Sequence, residues 1–452
     1  MVGKLKEIPG FKRILKNAVI FSVTSVILLL NNFSDQFFVV QLGRVQASAY
    51  TLDVPLFWIL ISASAALGVV YSTDVKRYLD GNDLESANKA AISACVYSVI
   101  FGLVFSLISG VLLVFVFQLV PEREIGDEAL TYMLPMLVMF FVITLNSVLG
   151  GLLNAEGKFK VYVVALALFL GGNATFDYLF LNMEMGIFGN GLSTVIGAAL
   201  SLVFELWWYL TGKTTIKLSM ERFSWSFDVL KSAVLRIKKF LIRHLTKDVA
   251  ELCIRFSLYT TYTLSYGIPM MYSTFIATIG MGAGAYLSGE YKRLLSEGDS
   301  AEALSLFIRS SLVIVPITFV VAVIFSLSTD LLIEPFVPFD SGSDSKEIMM
   351  WTLSILCFTA PFVGLKYLAN AVTAPVGRLS YSTTLLIIWA VSKVIAFFYF
   401  LGIDYEFAIY VILAERALSS MVSILLTIWY IRRKYPKEKA SVPPAAAEAS
   451  GA

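Results

Sequence analysis

Two acidic residues stand inside stretches of the sequence that are otherwise apolar enough to cross a bilayer. Asp177 lies in GGNATFDYLF and Asp35 lies in NNFSDQFFVV. A carboxylate at membrane depth costs several kcal/mol, and intramembrane acids are therefore functional by default. Asn173 precedes Asp177 by four residues, so the two side chains share one face of a helix. These oxygens predict a site that holds a proton or a Na⁺ ion inside the membrane.

The composition sets the class of protein in which such a site would lie. The 452-residue chain is 58% hydrophobic and only 15% charged, with a mean hydropathy of +0.77, which is typical of a polytopic membrane protein. The net charge of +2 does not indicate nucleic acid as a partner, because Lys and Arg are confined to short segments between apolar runs. Three scattered cysteines and the lone His244 predict no metal centre and no cofactor.

Twelve apolar runs are each long enough to span a bilayer as a helix. They lie at about 17–41, 49–73, 90–119, 129–153, 159–182, 186–212, 238–261, 265–289, 302–326, 348–372, 381–401 and 405–430. This predicts a first six-helix lobe over 1–212, a cytoplasmic linker over 213–233, a second lobe over 234–434 and a disordered cytoplasmic tail over 435–452. The seventh run is so charged that it predicts either a surface helix or a helix facing a water-filled cavity.

The basic residues predict the orientation of the chain. Inward-facing loops of membrane proteins collect Lys and Arg, and the outward-facing loops here hold only Arg44, Arg123 and Lys346. Both termini are therefore predicted to be cytoplasmic, in a multi-pass protein of the cell membrane.

The two halves of the chain carry an internal repeat. Residues 68–87, GVVYSTDVKRYLDGNDLESA, match residues 284–303, GAYLSGEYKRLLSEGDSAEA, at an offset of 216, and Gly157 pairs with Gly377 at an offset of 220. Because each half contains six spans, the two copies enter the membrane in the same direction. The fold class is therefore an all-α membrane protein with two six-helix lobes in parallel repeat around a central cleft.

The depth of the polar residues groups them into one site in the first lobe. Asp35 and Asp177 lie six and five residues before the outer ends of their spans, roughly 8–9 Å deep, and Thr194 lies roughly 12 Å deep in the sixth span. The candidate cation site is Asp35, Asn173, Asp177 and Thr194. The alternative is that the acids brace neighbouring helices and that Thr194 bonds to its own backbone.

The second lobe is polar in a different way. Glu251, Lys393 and Glu415 fall near the midplane and form a candidate polar network, for structural bracing or for substrate contact and gating. Lys366 is expected to extend to the cytoplasmic end of its span. At an offset of 216 Asp177 aligns with Lys393, so the second lobe does not repeat the cation site, and cation coupling is predicted in the first lobe alone.

Several stretches resemble the multidrug and toxic compound extrusion (MATE) transporters of the multidrug, oligosaccharidyl-lipid and polysaccharide (MOP) flippase superfamily, in their DinF-like archaeal and bacterial branch. The stretches are NNFSDQFFVVQLG, ALGVVYSTDVKRYLDGNDLESANKA, LLNAEGKFK and GGNATFDYLF followed by MGIFGNGLSTVIGAAL. The resemblance implies twelve helices in two lobes, a cation site at Asp35, Asn173, Asp177 and Thr194, and a monomer that exports organic, often cationic and amphipathic compounds by antiport with H⁺ or Na⁺. The charged seventh region and Lys393 depart from that branch.

Two other functions remain open. A lipid or lipid-linked saccharide flippase of the same superfamily is favoured by the basic residues Lys393 and Arg416. A membrane-embedded enzyme is poorly supported, because the sequence contains no intramembrane His cluster, no nucleophile motif and no Gly-rich phosphate loop. The chain is therefore predicted to be a transporter of small organic compounds in a lipid bilayer and not an enzyme.

Overall fold

The computed structural model of the protein describes residues 10–223, 225, 227–258, 260–373 and 379–434, and within them it is helical with no strand. The prediction of an all-α fold with twelve long helical spans is confirmed. The helices are α1 Phe11–Val39, α2 Arg44–Asp80, α3 Leu84–Phe117, α4 Arg123–Ala155, α5 Phe159–Asn182, α6 Gly186–Leu210, α7 Phe227–Phe256, α8 Thr260–Ser296, α9 Ser300–Leu327, α10a Ser343–Leu356 with α10b Thr359–Thr373, α11 Leu379–Leu401 and α12 Tyr405–Lys434. A short helix, Thr329–Ile333, follows α9. The predicted tail over 435–452 and Gly377 lie outside the described residues.

By length and composition, ten helical stretches of the described chain could cross a membrane. They are α1–α6, α9, the α10 pair, α11 and α12, so that α7 and α8 do not meet the criterion. Helix α7 packs against α2 and α11, and its Asp248 and Arg255 are buried. These two charges therefore face protein, whereas Lys231, Lys238 and Lys247 of the same helix are exposed.

The tenth predicted span is two helices, and the seventh is displaced from its expected position. Helix α10a ends at Leu356 and α10b begins at Thr359, with Pro361 in the first turn of α10b, where a helix tolerates proline. Helix α7 runs from Phe227 to Phe256, whereas the apolar pattern placed the span at 238–261. Hydropathy locates the membrane-buried part of a helix, while turns and caps set its ends.

The helices pack in the same order in the two halves of the chain. In the first half α2 packs on α4, α4 on α6 and α5 on α6, and in the second half α8 packs on α10b, α10b on α12 and α11 on α12. The two halves meet chiefly where α1 packs along α8 and α2 packs against α7. The lobe boundaries at 212 and 234 remain predictions.

The internal repeat has a packing reason in both halves. A Cβ on Gly68 would collide with the carbonyl oxygen of Ser147 on α4, and a Cβ on Gly284 would lie 2.9 Å from the carbonyl oxygen of Tyr367 on α10b. The second helix of each half therefore crosses the fourth at a glycine. The repeated aspartates also share a role, since Asp83 accepts from Ser86 N at 3.0 Å and Asp299 accepts from Glu302 N at 3.0 Å, capping α3 and α9.

The two halves are in contact at the end of the bundle where α1 ends and α2 begins, which we term the distal end; the opposite end is the proximal end. There the Asp340 carboxylate accepts from Arg44 N at 2.9 Å, and the rings of Phe33 and Tyr272 lie 4.8 Å apart. The Arg255 guanidinium donates to the carbonyl oxygen of Thr51 on α2. At the proximal end Arg13 pairs with Glu290 at 2.6 Å, which joins α1 to α8.

Candidate functional site

Helix α1 presents a row of buried polar side chains in its distal half. Asn31, Asn32, Asp35 and Gln36 are each at most 1% exposed. Asn31 Nδ2 donates to Asp35 Oδ2 at 3.3 Å, four residues along the same helix face. The stretch NNFSDQFF therefore folds so that one carboxylate stands among amide groups, shielded from lipid and water.

Helix α5 brings the second carboxylate to the first. Asn173 Nδ2 donates to Asp35 Oδ1 and also lies 3.1 Å from Asp177 Oδ2, so that one amide bridges the two acids. Asn173 is fully buried and Asp177 is 2% exposed. The Asn173 amide of α5 therefore holds the carboxyl groups of Asp35 and Asp177 in one group. Three of the four residues that the sequence grouped by depth are thus in direct contact.

Helix α6 adds two ligands of Asp177 that the sequence reasoning missed. Asn190 Nδ2 donates to Asp177 Oδ1 at 2.7 Å, and Ser193 Oγ donates to the same oxygen. Ser193 also lies 3.3 Å from Asn173 Oδ1. The only signal in the sequence is that both residues fall on the buried side of the run GNGLST, a pattern shared by many small polar residues in membrane helices.

Thr194, the fourth predicted residue, lies beside this group with its hydroxyl turned elsewhere. Thr194 Oγ1 donates to the carbonyl oxygen of Asn190 at 3.2 Å and lies near the hydroxyl of Tyr132 on α4. Tyr50 on α2 reaches the site instead, since its hydroxyl lies 3.2 Å from Asp35 Oδ2. The structure thus brings Asp35, Asn173 and Asp177 together and places Thr194 at the edge of the group.

Free oxygen atoms surround the two carboxylates. Asn31 Oδ1, Asn32 Oδ1 and Asn190 Oδ1 are buried and have no hydrogen-bond partner among the described residues. Na⁺ binds through several oxygens, whereas a proton needs only the two carboxylates. Two adjacent carboxylates repel when both are charged, so a proton or a cation between them is stabilising. The described residues contain no group of three or more His, Cys, Asp and Glu side chains that could hold a metal.

Two other carboxylates in the first half are buried without belonging to this group. Asp53 on α2 and Glu205 on α6 are fully buried, and neither has a hydrogen-bond partner for its oxygens within the part of the chain that the structure describes. Asp53 lies toward the distal end and Glu205 toward the proximal end, so that neither joins Asp35 and Asp177.

The second half contains a cluster of opposite charges around Glu251. Lys393 Nζ lies 3.3 Å from Glu251 Oε2, Arg255 Nε lies 3.8 Å from Glu251 Oε1, and the Tyr266 hydroxyl donates to Glu251 Oε1 at 2.7 Å. Two of the three residues of the predicted network are therefore paired directly. The third, Glu415, lies 3.9 Å from Lys366 Nζ in a separate pair.

Lys366 differs from its expected position. It donates to Ser419 Oγ at 3.1 Å as well as pairing with Glu415, so it is held between α10b and α12 and does not extend to the helix end. A carboxylate within the bundle offers an ammonium group a stronger partner than the interface does.

A chain of contacts joins the two polar groups across the lobes. Thr51 Oγ1 donates to Gln36 Oε1 at 2.9 Å, one residue from Asp35, while the Thr51 backbone carbonyl accepts from Arg255. Arg255 in turn pairs with Glu251. Helices α1, α2 and α7 are thus linked through hydrogen bonds between the candidate cation site and the second-lobe cluster.

Part of the chain matches a known family model. Residues 21–179 match the family model MatE, a range that contains Asp35, Asn173 and Asp177. No curated protein matches the chain by sequence. The match agrees with the resemblance to the MATE transporters seen in the sequence, over about the first third of the chain after its first twenty residues.

The solved structures similar to this chain have the same fold. An inward-facing MATE multidrug resistance transporter of the MOP superfamily is 19% identical, with a TM-score of 0.81 over 92% of this chain and 98% of that one. A MATE complex with MaL6 is 19% identical, with a TM-score of 0.77 over 95% and 98%. A MOP superfamily transporter from Pyrococcus furiosus, described as having a binding pocket of reverse polarity, is 18% identical, with a TM-score of 0.74 over 94% and 97%. At these identities the likeness establishes the fold.

Proposed function

We propose that this chain, which carries the MatE domain and the fold of the MATE transporters, exports an organic compound by antiport with H⁺ or Na⁺. The observation that carries the proposal is the buried Asn173 amide of α5, which donates to Asp35 of α1 and to Asp177 of its own helix. The protein acts as a monomer in the cell membrane, with both termini in the cytoplasm and the distal end outside. It uses no resident cofactor.

The site can bind and release a cation because its charge depends on occupancy. A proton or Na⁺ relieves the repulsion between the two carboxylates, and its departure restores that repulsion across the contact of α1 with α5. Helix α1 also packs along α8 of the other lobe. A shift of α1 therefore changes the contact between the lobes. Ion occupancy then biases the equilibrium between outward-open and inward-open states.

The energy available from such an ion is sufficient to drive export. One elementary charge moved through 100 mV supplies about 2.3 kcal/mol, which sustains a concentration ratio of roughly 50-fold. The substrate binds between the lobes. This space opens to the cytoplasm in the inward-open state and to the outside in the outward-open state.

A flippase for lipids or lipid-linked saccharides is the second candidate function. The observation that favours it is the cationic cluster around Glu251 in the second lobe, which could receive a phosphate-bearing headgroup. The cation site of the first lobe gives antiport of a soluble or amphipathic compound the stronger support.

The test is efflux from proteoliposomes with pH and Na⁺ gradients imposed separately, using ethidium and carboxyfluorescein as a cationic and an anionic dye. We expect a gradient of one ion to drive efflux of at least one dye. Asp35→Asn and Asp177→Asn should each abolish the driven component while the proteins stay folded in detergent. Asp80→Asn, which removes an exposed carboxylate at the proximal end of α2, serves as the matched control. Driven efflux at the normal rate in both site variants would overturn the assignment.

A further inference from the structure

The second-lobe cluster contains more positive than negative charge. Around Glu251 and Asp248 stand four cationic side chains that come from three helices: Lys247 and Arg255 on α7, Lys393 on α11 and Arg416 on α12. Among the described side chains, four cations and two carboxylates leave an excess of two positive charges. The nearby Lys366 is paired with Glu415 and does not change this balance.

Arg416 has a weak protein partner. Its Nη2 lies 3.4 Å from the Met270 sulfur, which accepts hydrogen bonds poorly, and no carboxylate of the described residues lies within ion-pair distance of it. A guanidinium presents five donors in a planar fork that suits a phosphate, sulfonate or carboxylate. A half-buried Arg416 therefore has donors to spare within a low-dielectric region.

The cluster extends to an exposed side chain. Lys247 is exposed, and its charged and polar neighbours Tyr367 and Arg416 lie on α10b and α12. Lys247 therefore lies on the side of α7 that faces these two helices, where it is accessible to a ligand. Arg255, on the distal side of the cluster, touches α2 of the first lobe, so the cluster borders the interface between lobes.

We propose that Arg416, Lys393 and Lys247 bind the anionic group of the transported compound, a phosphate, sulfonate or carboxylate on an organic body. This assignment rests on the proposed function and names its substrate class. An anion neutralises the excess charge and satisfies the unused donors of Arg416, whereas a cationic compound meets an already positive cluster. The second lobe binds the substrate and the first lobe binds the ion.

Equilibrium binding without a gradient tests the site apart from transport. The protein is placed in phosphatidylcholine nanodiscs and titrated calorimetrically with hexyl phosphate, with hexyltrimethylammonium, and with inorganic phosphate. Hexyl phosphate and hexyltrimethylammonium have the same alkyl chain and opposite charges. Inorganic phosphate has the anionic group without the alkyl chain. We expect hexyl phosphate to bind at least tenfold more tightly than either of the others. Tighter binding of hexyltrimethylammonium, or equal binding of inorganic phosphate, would overturn the assignment.

Variants identify the residues. Arg416→Gln should weaken hexyl phosphate binding at least tenfold, and Arg416→Lys should weaken it less. Arg432→Gln is the matched control, since it removes an exposed arginine from the same helix about 24 Å away. If Arg416→Gln unfolds, Lys393→Gln replaces it with the same expected loss. Normal hexyl phosphate affinity in a folded Arg416→Gln protein contradicts the proposal.

Two further arms separate related outcomes. Asp177→Asn should lose driven efflux and weaken hexyl phosphate binding much less than Arg416→Gln does, so that failure of the anion site and failure of the ion site give different results. Titration in nanodiscs containing phosphatidylglycerol distinguishes the source of the anion. If phosphatidylglycerol competes with hexyl phosphate, the anion site accepts a lipid headgroup. If it does not compete, the site binds a soluble organic anion.

Discussion

Asp177 receives more of its hydrogen bonds from α6 than from any other helix. Asn190 and Ser193 both donate to its Oδ1, while Thr194 hydrogen-bonds to its own helix backbone. The hydroxyl that stabilises the carboxylate is therefore that of Ser193. Depth in the membrane selects Thr194 as the hydroxyl of the site, whereas the geometry assigns that role to Ser193.

We accordingly expect Ser193→Ala to impair ion coupling more than Thr194→Val. A hydrogen bond to a charged group contributes about 1.5–3 kcal/mol, so Ser193→Ala should change the ion affinity at least tenfold. Thr194→Val preserves shape and removes only a bond to the backbone and a contact with Tyr132. The measurement is the dependence of driven efflux on ion concentration in proteoliposomes. Equal effects of the two substitutions would contradict the geometry.

The acids of the site could be predicted from the sequence, but their partners could not. Asp35 and Asp177 are visible because a carboxylate is rare in an apolar run, and helix periodicity then adds Asn173. Ser193 and Tyr50 are residue types that membrane helices use everywhere for packing. Only the positions of α2 and α6 relative to α1 and α5 reveal that these two side chains reach the carboxylates.

At the scale of the helices, a proline in α2 prepares the contact between the lobes. Pro55 has no N–H, so the carbonyl oxygen of Thr51, four residues earlier, has no partner within the helix. Arg255 of α7 donates to this oxygen instead. Gly267 of α8 permits the approach, because a Cβ there would collide with the methyl group of Thr51.

Removing this contact should open the distal end. Arg255→Met removes the donors, and Pro55→Ala supplies an N–H that competes for the Thr51 carbonyl, so both should favour separation of the lobes. At about 1.5–3 kcal/mol for a charged hydrogen bond, the closed population should fall at least tenfold relative to the open one in Arg255→Met, and less in Pro55→Ala.

Spin labels at the exposed positions 41 and 339, in a protein lacking its native cysteines, measure the distal separation. We expect Arg255→Met to lengthen the distance distribution. Arg123→Gln, which removes an exposed arginine at the same end, should leave it unchanged. An unchanged distribution in Arg255→Met would show that the lobes are held together by other contacts.

The repeated glycines set how closely the second and fourth helices of each half cross. Gly68→Ala and Gly284→Ala should each destabilise the protein by about 1–3 kcal/mol, because the added Cβ meets a backbone carbonyl that cannot move freely. Gly171→Ala on α5 is the control, since open space surrounds its Cβ position and alanine favours a helix. Thermal unfolding in detergent measures the stability of the three variants. A Gly68→Ala protein as stable as the Gly171→Ala control would contradict the close crossing of α2 and α4.

The helices themselves were predictable to different degrees. The spans of α5 and α6 begin at the predicted residues, because their apolar runs fill nearly the whole helix. Helix α7 was misplaced because its charged first half has no apolar signature, and the break in α10 was missed because Pro361 lies within a continuous apolar run. Charges that face protein and prolines in a first turn are visible only from the packed structure.

In the whole molecule, the candidate ion site lies in the first half and the cationic cluster lies in the second half, although the two halves share one backbone repeat. The backbone repeats, as the crossings at Gly68 and Gly284 show, but Asp177 of the first half aligns with Lys393 of the second. The hydrogen bonds from Gln36 through Thr51 to Arg255, and the ion pair of Arg255 with Glu251, connect the two groups across the distal end. Such a connection allows ion occupancy in one lobe to be felt in the other.

This division predicts that the two lobes can be impaired separately. Asp177→Asn should remove the dependence of efflux on the ion gradient, whereas Lys393→Gln should raise the substrate concentration needed for half-maximal efflux and keep the gradient dependence. The reason is that Lys393 lies in the charge cluster around Glu251 and contacts neither carboxylate of the first lobe. Initial efflux rates of carboxyfluorescein at several internal concentrations, under a full and a half-size gradient, separate the two effects. If Lys393→Gln instead loses its response to the gradient at every dye concentration, ion coupling extends into the second lobe and the division is wrong.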